Sequence, residues 1–400
     1  MINLRLNKIA RFIAKTTKGD PVINIRTNAM YRYLVLLSIS AALGFEAWST
    51  LFNNFAVEKV GLEGYQIGMI QSIREIPGFL TFLVVLALIY FREHRLASFS
   101  IIVFGIGMAA TGLLPSYYGL IFTVMIMSLG FHYFWATCDS LTMQYFDKKT
   151  SPLVFGKLNS LAAITNVCAG ILIYFTITII NYTQIYLLVG CFMLMIGLWG
   201  LMQDPSIKEI IPQHAKIVFR RKYWLYYFLT FMAGARRQIF MAFAVFLMVK
   251  KFNFSVQEVT TLFVINNIMN YFLYPIIGRS IARFGERKIL SIEYFSLIFV
   301  FLAYATIQIK WLIIVLYMLD QFFYNFHIAI QTYFHKIADP KDIASNVSIS
   351  FTINHIAAVI LPALGGLLWV IDYRIPFIGG AVFSLISLFA VQRIRTSVPV

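Results

Sequence analysis

Two arginines, Arg236 and Arg237, stand side by side in the middle of an apolar run and are followed by Gln238. Arginine does not shed its proton, so each guanidinium needs a partner. That partner is either a solute carboxylate or phosphate, which the planar fork matches in bidentate geometry, or an acid on a neighbouring helix. Successive helical residues point about 100° apart, so the two arginines need not share a partner. Glu46 lies near mid-depth of another apolar run and suits the role of arginine partner, proton carrier or both. Gln71, Arg74, Glu75 and Gly78 follow the i, i+3, i+4, i+7 spacing of one helical face. Asn266, Asn267, Asn270 and Tyr274 offer amides to a polar solute or to a neighbouring helix. Asp320, Tyr324, His327 and Gln331 share a face beside Gln321 and Asn325, and Asp320 and His327 can titrate during a cycle.

An ionisable group at bilayer depth is costly unless it is paired or faces water, so these residues are functional candidates by default. Glu46, Arg74, Arg236, Arg237, Gln238, Asn267, Asn270 and Asn325 are the candidates for holding a polar solute, and Glu46, Glu75, Asp320 and His327 for carrying protons. His132 and Asp139 form a weaker pair of the same kind.

The elements that must position them are membrane helices. The chain is 60% hydrophobic and 12% charged, where a water-soluble domain is about half apolar and about a quarter charged. Too few polar residues remain to cover a water-facing exterior, so lipid takes that place. Runs of about 20 mostly apolar residues predict twelve spans near 31–56, 66–90, 97–114, 118–145, 154–180, 183–202, 223–249, 257–281, 288–309, 311–334, 343–371 and 375–393. The fold class is all-α, a polytopic membrane protein.

The net charge of +16 does not signify nucleic-acid binding, because the bases sit at the ends of apolar runs and form no basic stripe with interleaved aromatics. With both termini placed in the cytoplasm, 25 of the Lys and Arg residues fall inside and 5 outside, as the positive-inside rule requires of an even number of spans. The first 29 residues contain no apolar stretch with a small-residue cleavage site, so no removable signal peptide is expected. Ile2, Leu6, Ile9 and Ile13 recur at helical spacing there, which fits either a surface-lying helix or a disordered basic arm. Cys138, Cys168 and Cys191 lie in apolar runs with neither a disulfide framework nor zinc spacing. No spaced metal cluster, Ser/His/Asp set or phosphate loop stands out, so neither an enzyme nor a cofactor or metal site is expected.

The two halves repeat. YFDKKTSP at 145–152 and YFHKIADP at 333–340 share Tyr, Phe, Lys and Pro, and the same offset aligns Ser160 with Ser348 and Asn166 with Asn354. It also sets the His132/Asp139 pair on Asp320/His327 in opposite order. Two six-helix pseudo-repeats, together with GRSIARFGERK after the eighth span, resemble the major facilitator superfamily. In that resemblance Gly278, Arg283, Gly285, Arg287 and Lys288 stand at expected positions of a cytoplasmic gate loop, while Ala282 replaces the usual acid. The first half keeps only FREHR, with Arg92 and Arg95, at the matching place, and GLEGYQIG and NFSVQEVT are similar to the family's short turns into helices 2 and 8.

These readings divide the chain into a basic cytoplasmic arm at 1–30, an N-terminal bundle at 31–202, a central cytoplasmic loop at 203–222 and a C-terminal bundle at 223–400. The expected function is secondary transport of a small, perhaps anionic solute by alternating access, with protons as the candidate coupling ion and a monomer in the lipid bilayer as the working unit. The rival expectations are a receptor or scaffold that binds without translocating, and a lipid translocator.

Overall fold

The computed structural model describes residues 25, 27–62, 64–206, 213, 216–254 and 256–395. Most of the basic arm and part of the central loop therefore lie outside the described residues. Among those described the chain is helical throughout, and twelve helical rods run in alternating directions.

In the first half the rods are α1 (Ala29–Glu58), α2 (Met69–Ala87), α3 (Glu93–Leu113), α4 (Tyr117–Tyr145), α5 (Ser151–Thr176) and α6 (Tyr182–Met202). In the second half α7 is built from Trp224–Ile239, a π turn at Phe240–Ala244 and Val245–Phe252. It is followed by α8 (Val256–Phe284), α9 (Glu286–Thr306), α10 (Lys310–Ile337), α11 (Ile343–Ile371) and α12 (Arg374–Val391). Nine of these are long and apolar enough to cross a bilayer by length and composition, counted among the described residues. The other three are α7, whose ladder is interrupted, α8, which carries the Asn266, Asn267 and Asn270 amides, and α11.

Local sequence explains the rod ends. Asn28 and Ser116 cap α1 and α4 by accepting backbone N–H bonds from Tyr31 and Gly119, and Asn181 with Gln184 forms a capping box on α6. The GRSIARFGERK segment departs from the expected loop. α8 runs on through Phe284, and the turn into α9 is the single residue Gly285, at φ 79°, a left-handed conformation that glycine adopts without a Cβ penalty. Gly278 and Arg283 are thus helical, not loop, residues.

The sequence also predicts unbroken rods where the structure has three irregular ones. α2 breaks at Glu75, where Pro77 opens a new short helix. In α7, the Phe240 N–H sits between the carbonyls of Arg236 and Arg237, where the ladder changes register into the π turn. α10 tightens into a 3-10 turn at Asn325–His327. All three breaks fall within a few residues of the charged and amide groups singled out above, as in the discontinuous helices of transporters.

The halves meet along α5 and α8. A Cβ on Gly156 would lie 2.5 Å from the Tyr274 carbonyl oxygen and one on Gly278 would lie 2.4 Å from that of Pro152, so these glycines let the backbones touch. At the end of the bundle where α1 begins, which we call the base, Lys148 Nζ donates to the Lys336 carbonyl at 2.7 Å, and Ser151 Oγ and His335 Nδ1 lie 2.9 Å apart. Lys148 and Lys336 are the equivalent lysines of the repeated motif, so corresponding positions of the two halves meet here. Gln331 Nε2 donates to Asp139 Oδ2 at 2.5 Å, closing the base further. Gly156→Leu is expected to force α5 from α8 and lower thermal stability by about 1–3 kcal/mol; unchanged melting in detergent would show that the contact tolerates bulk.

Candidate functional site

Between the halves, at the depth of the helix breaks, is a cavity of about 430 Å³. From the first half it is lined by Phe45 of α1, Arg74 and Glu75 of α2, and Met127, Ser128, Phe131 and His132 of α4. From the second half come Arg237, Gln238 and Met241 of α7 and His355 and Ala358 of α11. The break in α2 turns Arg74 and Glu75 into this space. Arg74 grips Glu75 Oε1 through Nε at 3.2 Å and through its terminal nitrogen at 2.7 Å, and its guanidinium lies over the rings of Phe45 and Trp48 at 5.9 and 5.3 Å. Adjacent charges that point about 100° apart in a regular helix meet here because the helix is not regular.

His355 joins this group from the other half. Its Nε2 lies 3.0 Å from His132 Nε2 and 3.6 Å from Glu75 Oε2. One donor atom from each of Glu75, His132 and His355 lies within 4.8 Å of the others. The sequence suggested no metal spacing because these donors come from three separate helices. It also left His355 unremarked, although a lone histidine in the apolar run of α11 satisfies the rule that marks intramembrane ionisable groups.

The adjacent arginines part company. Arg237 faces the cavity, donates to Gln321 Oε1 at 3.1 Å and lies 4.1 Å over the ring of Tyr324. Among the described residues no carboxylate lies within 4 Å of it. Arg236 does not line the cavity. It is 3% exposed inside the second bundle, 3.5 Å from Glu293 Oε1, 2.5 Å from Ser387 Oγ and over the Tyr294 ring at 4.3 Å. The acid on a neighbouring helix that one arginine required is therefore Glu293 of α9, which the sequence reading overlooked although it too is a charge inside an apolar run.

Other candidates are dispersed. Asn270 and Asn325 bond one another at 2.6 Å inside the second bundle, and Asn267 donates to the Phe263 carbonyl of its own helix, so the geometry gives these amides to interhelical and local contacts. Asp320 is buried among helices of the second half and lines neither cavity described here. Glu46 is half-buried on α1, next to the cavity residue Phe45, with the Thr50 hydroxyl 3.5 Å away and no cation within 4 Å among the described residues. His327 and Gln331 line a smaller cavity of about 220 Å³, with Tyr226, Tyr324, Asn354 and His355. His355 thus borders both spaces. Of the gate-loop candidates, Gly278 meets α5, Arg287 donates to Gln392 of its own half at 3.0 and 3.1 Å, Arg283 lies over Phe284 at 5.3 Å, and Gly285 and Lys288 flank the turn.

A polar cleft shared by two six-helix pseudo-repeats defines the class: a polytopic helical membrane protein with a cavity between its halves. Residues 226–399 match the family model described as Major Facilitator Superfamily. The crystal structure of the human organic anion transporter MFSD10 (TETRAN) superposes with a TM-score of 0.75 at 11% identity, over 91% of this chain and 99% of that one. The E. coli fucose:proton symporter FucP gives 0.71 at 11% identity, over 92% and 98%. A bacterial homologue of the iron transporter ferroportin, in its outward-facing state, gives 0.74 at 13% identity, over 91% and 98%. No curated protein sequence matches the chain. Identities this low speak to the fold alone: the chain has the fold of these transporters, and the family-model match covers its second half.

Proposed function

We propose that the chain carries a small organic anion, unchanged, across the membrane by alternating access at the cleft between its halves. The observation that supports this reading is Arg237, a permanent cation that enters the cleft held by the Gln321 amide and the rings of Tyr324 and Phe240, with no carboxylate within 4 Å among the described residues. A guanidinium so held keeps N–H groups available for a carboxylate or phosphate, and its attachment to Gln321 and Tyr324 orients the fork in advance. Gln238, on the same wall, supplies a neutral donor and acceptor.

In this reading the N- and C-terminal bundles, at 31–202 and 223–400, rock about the glycine contact between α5 and α8. Both termini lie in the cytoplasm, so the closed base faces the cytoplasm and the cleft opens toward the other side. Glu46 is the candidate proton carrier, as a half-buried carboxyl on α1 next to the cleft residue Phe45, with no cation within 4 Å among the described residues. One chain suffices, since each wall of the cleft comes from the same molecule.

The test is flux in proteoliposomes containing the purified protein, with an imposed proton gradient and a panel of labelled mono- and dicarboxylates, organic phosphates and neutral sugars. Gradient-driven accumulation of anions and not of sugars is the expected result. Saturable anion binding without flux would replace transport by a receptor role, and flux of neutral solutes alone would remove the anion.

A further inference from the structure

We propose that Glu75, His132 and His355 form a binding site for a divalent transition-metal ion of the zinc type, assembled across the two halves when they meet as they do here. The proposal goes beyond anion transport and does not depend on it.

The hydrogen bonds fix which atoms are free. His132 Nδ1 lies 2.8 Å from the Ser128 carbonyl oxygen, and His355 Nδ1 lies 2.7 Å from that of Phe351. A carbonyl only accepts, so each Nδ1 carries the proton and donates it, and each Nε2 is left with a lone pair. Those two lone pairs then face each other at 3.0 Å. Two acceptors at that distance repel unless a positive centre lies between or beside them. The imidazole planes cross at 80°, with centroids 4.7 Å apart, so the rings converge edge-on toward a common point and are not stacked.

The third donor is prepared in the same way. Arg74 occupies Glu75 Oε1, and Oε2 turns toward His355 at 3.6 Å. Metal-ligating histidines and carboxylates are held by outer partners of these kinds, a backbone carbonyl on the distal ring nitrogen and a hydrogen bond on the second carboxylate oxygen. Zinc with N and O ligands at about 2.0–2.1 Å in a tetrahedron separates its donors by roughly 3.3 Å; the two separations from His355 are 3.0 and 3.6 Å, and that between Glu75 and His132 is within 4.8 Å. Gly78 makes room: a Cβ there would lie 2.3 Å from His355 Cδ2 and 2.9 Å from His132 Nε2. Three protein ligands leave a fourth position, and all three line the 430 Å³ cleft. Arg74 and Arg237 face the same space and oppose a bare cation, so the fourth ligand is an anion, either chloride or a solute carboxylate. Because His355 belongs to α11 of one half and Glu75 and His132 to α2 and α4 of the other, separation of the halves at this level removes one ligand of three.

The experiment uses the full chain, untagged, stripped with EDTA and titrated with ZnCl2 in detergent containing chloride and no organic anion. Cobalt(II) serves as a second probe through the visible absorption of tetrahedral sites. The expected result is one Zn2+ per chain, a rise in melting temperature on binding, and binding weakened about tenfold or more in His132→Gln, His355→Gln and Glu75→Gln. Gly78→Ala, which removes no ligand but places a methyl between the imidazoles, is expected to weaken binding likewise. Variants are compared only where their EDTA-treated size-exclusion profile and melting match the wild type, and Gly78→Ala with the two histidine variants gives three independent chances of a folded comparison. Absence of stoichiometric zinc from the wild type, as for a site that takes only a proton, overturns the proposal. So does zinc binding that survives both histidine substitutions. Either result leaves anion flux as a separate question, since zinc is measured without solute.

Discussion

Arg237→Ala is expected to abolish anion-driven thermal stabilisation and reduce anion flux in proteoliposomes to background, while the protein remains folded. The guanidinium faces the cleft and is held by Gln321 at 3.1 Å and by the ring of Tyr324, so its removal breaks no ion pair shorter than 4 Å among the described residues, although it takes a positive charge from the neighbourhood of buried Asp320. The fold therefore loses little. The solute loses a charge-assisted hydrogen bond, about 1.5–3 kcal/mol, which is roughly ten- to hundredfold in affinity. Arg237→Lys sharpens the test. It keeps the charge and gives up the planar fork and the stacking on Tyr324, so a bidentate anion should be bound weakly but detectably. Wild-type flux in Arg237→Ala would take this residue out of the solute site and the anion reading with it.

Glu293→Ala is expected to have the opposite profile, a large loss of stability whatever solute is present. Arg236 and Glu293 are both almost fully buried and 3.5 Å apart, with Ser387, Tyr294 and the more distant carboxyl of Asp320 also around the arginine. Removal of one member leaves an uncompensated charge, at about 3–5 kcal/mol, in a bundle surrounded by lipid. Arg236 cannot relieve this by losing its proton. Replacing both, as Arg236→Leu with Glu293→Leu, should recover most of the loss, because an apolar pair of similar volume removes both desolvation penalties. Melting of the purified variants in detergent decides it: a Glu293→Ala protein as stable as the wild type, or a double variant no better than the single one, would mean that the pair is not what satisfies Arg236. On sequence grounds the two arginines are equivalent candidates for the solute. The structure makes one a ligand candidate and the other a structural cation.

The contrast between these neighbours shows where sequence reasoning reaches its end. That apolar helices cross a membrane follows from composition, because a chain with so few charged groups has no other way to satisfy both its side chains and its backbone. The repeat was equally legible, since YFDKKTSP and YFHKIADP keep the same spacing, and their equivalent lysines, Lys148 and Lys336, meet in the fold. The rule that intramembrane charges are functional candidates singled out Arg74, Glu75 and Arg237, and all three line the cavity between the halves. Applied without omission, it would also have marked Glu293 and His355.

What the sequence by itself determined, then, is the class of protein, the number of rods and the set of polar groups that must avoid lipid. The tertiary structure alone decided which of those groups meet. Helical periodicity assigns a residue to a face only while the ladder is regular, and α2, α7 and α10 lose regularity at the residues concerned. Beyond that, the angular position of a side chain on a rod says nothing about which rod stands opposite. The pairing of Arg236 with Glu293, of Asn270 with Asn325, and of His132 with His355 is set by how helices distant in sequence pack together, and no spacing within one helix encodes it.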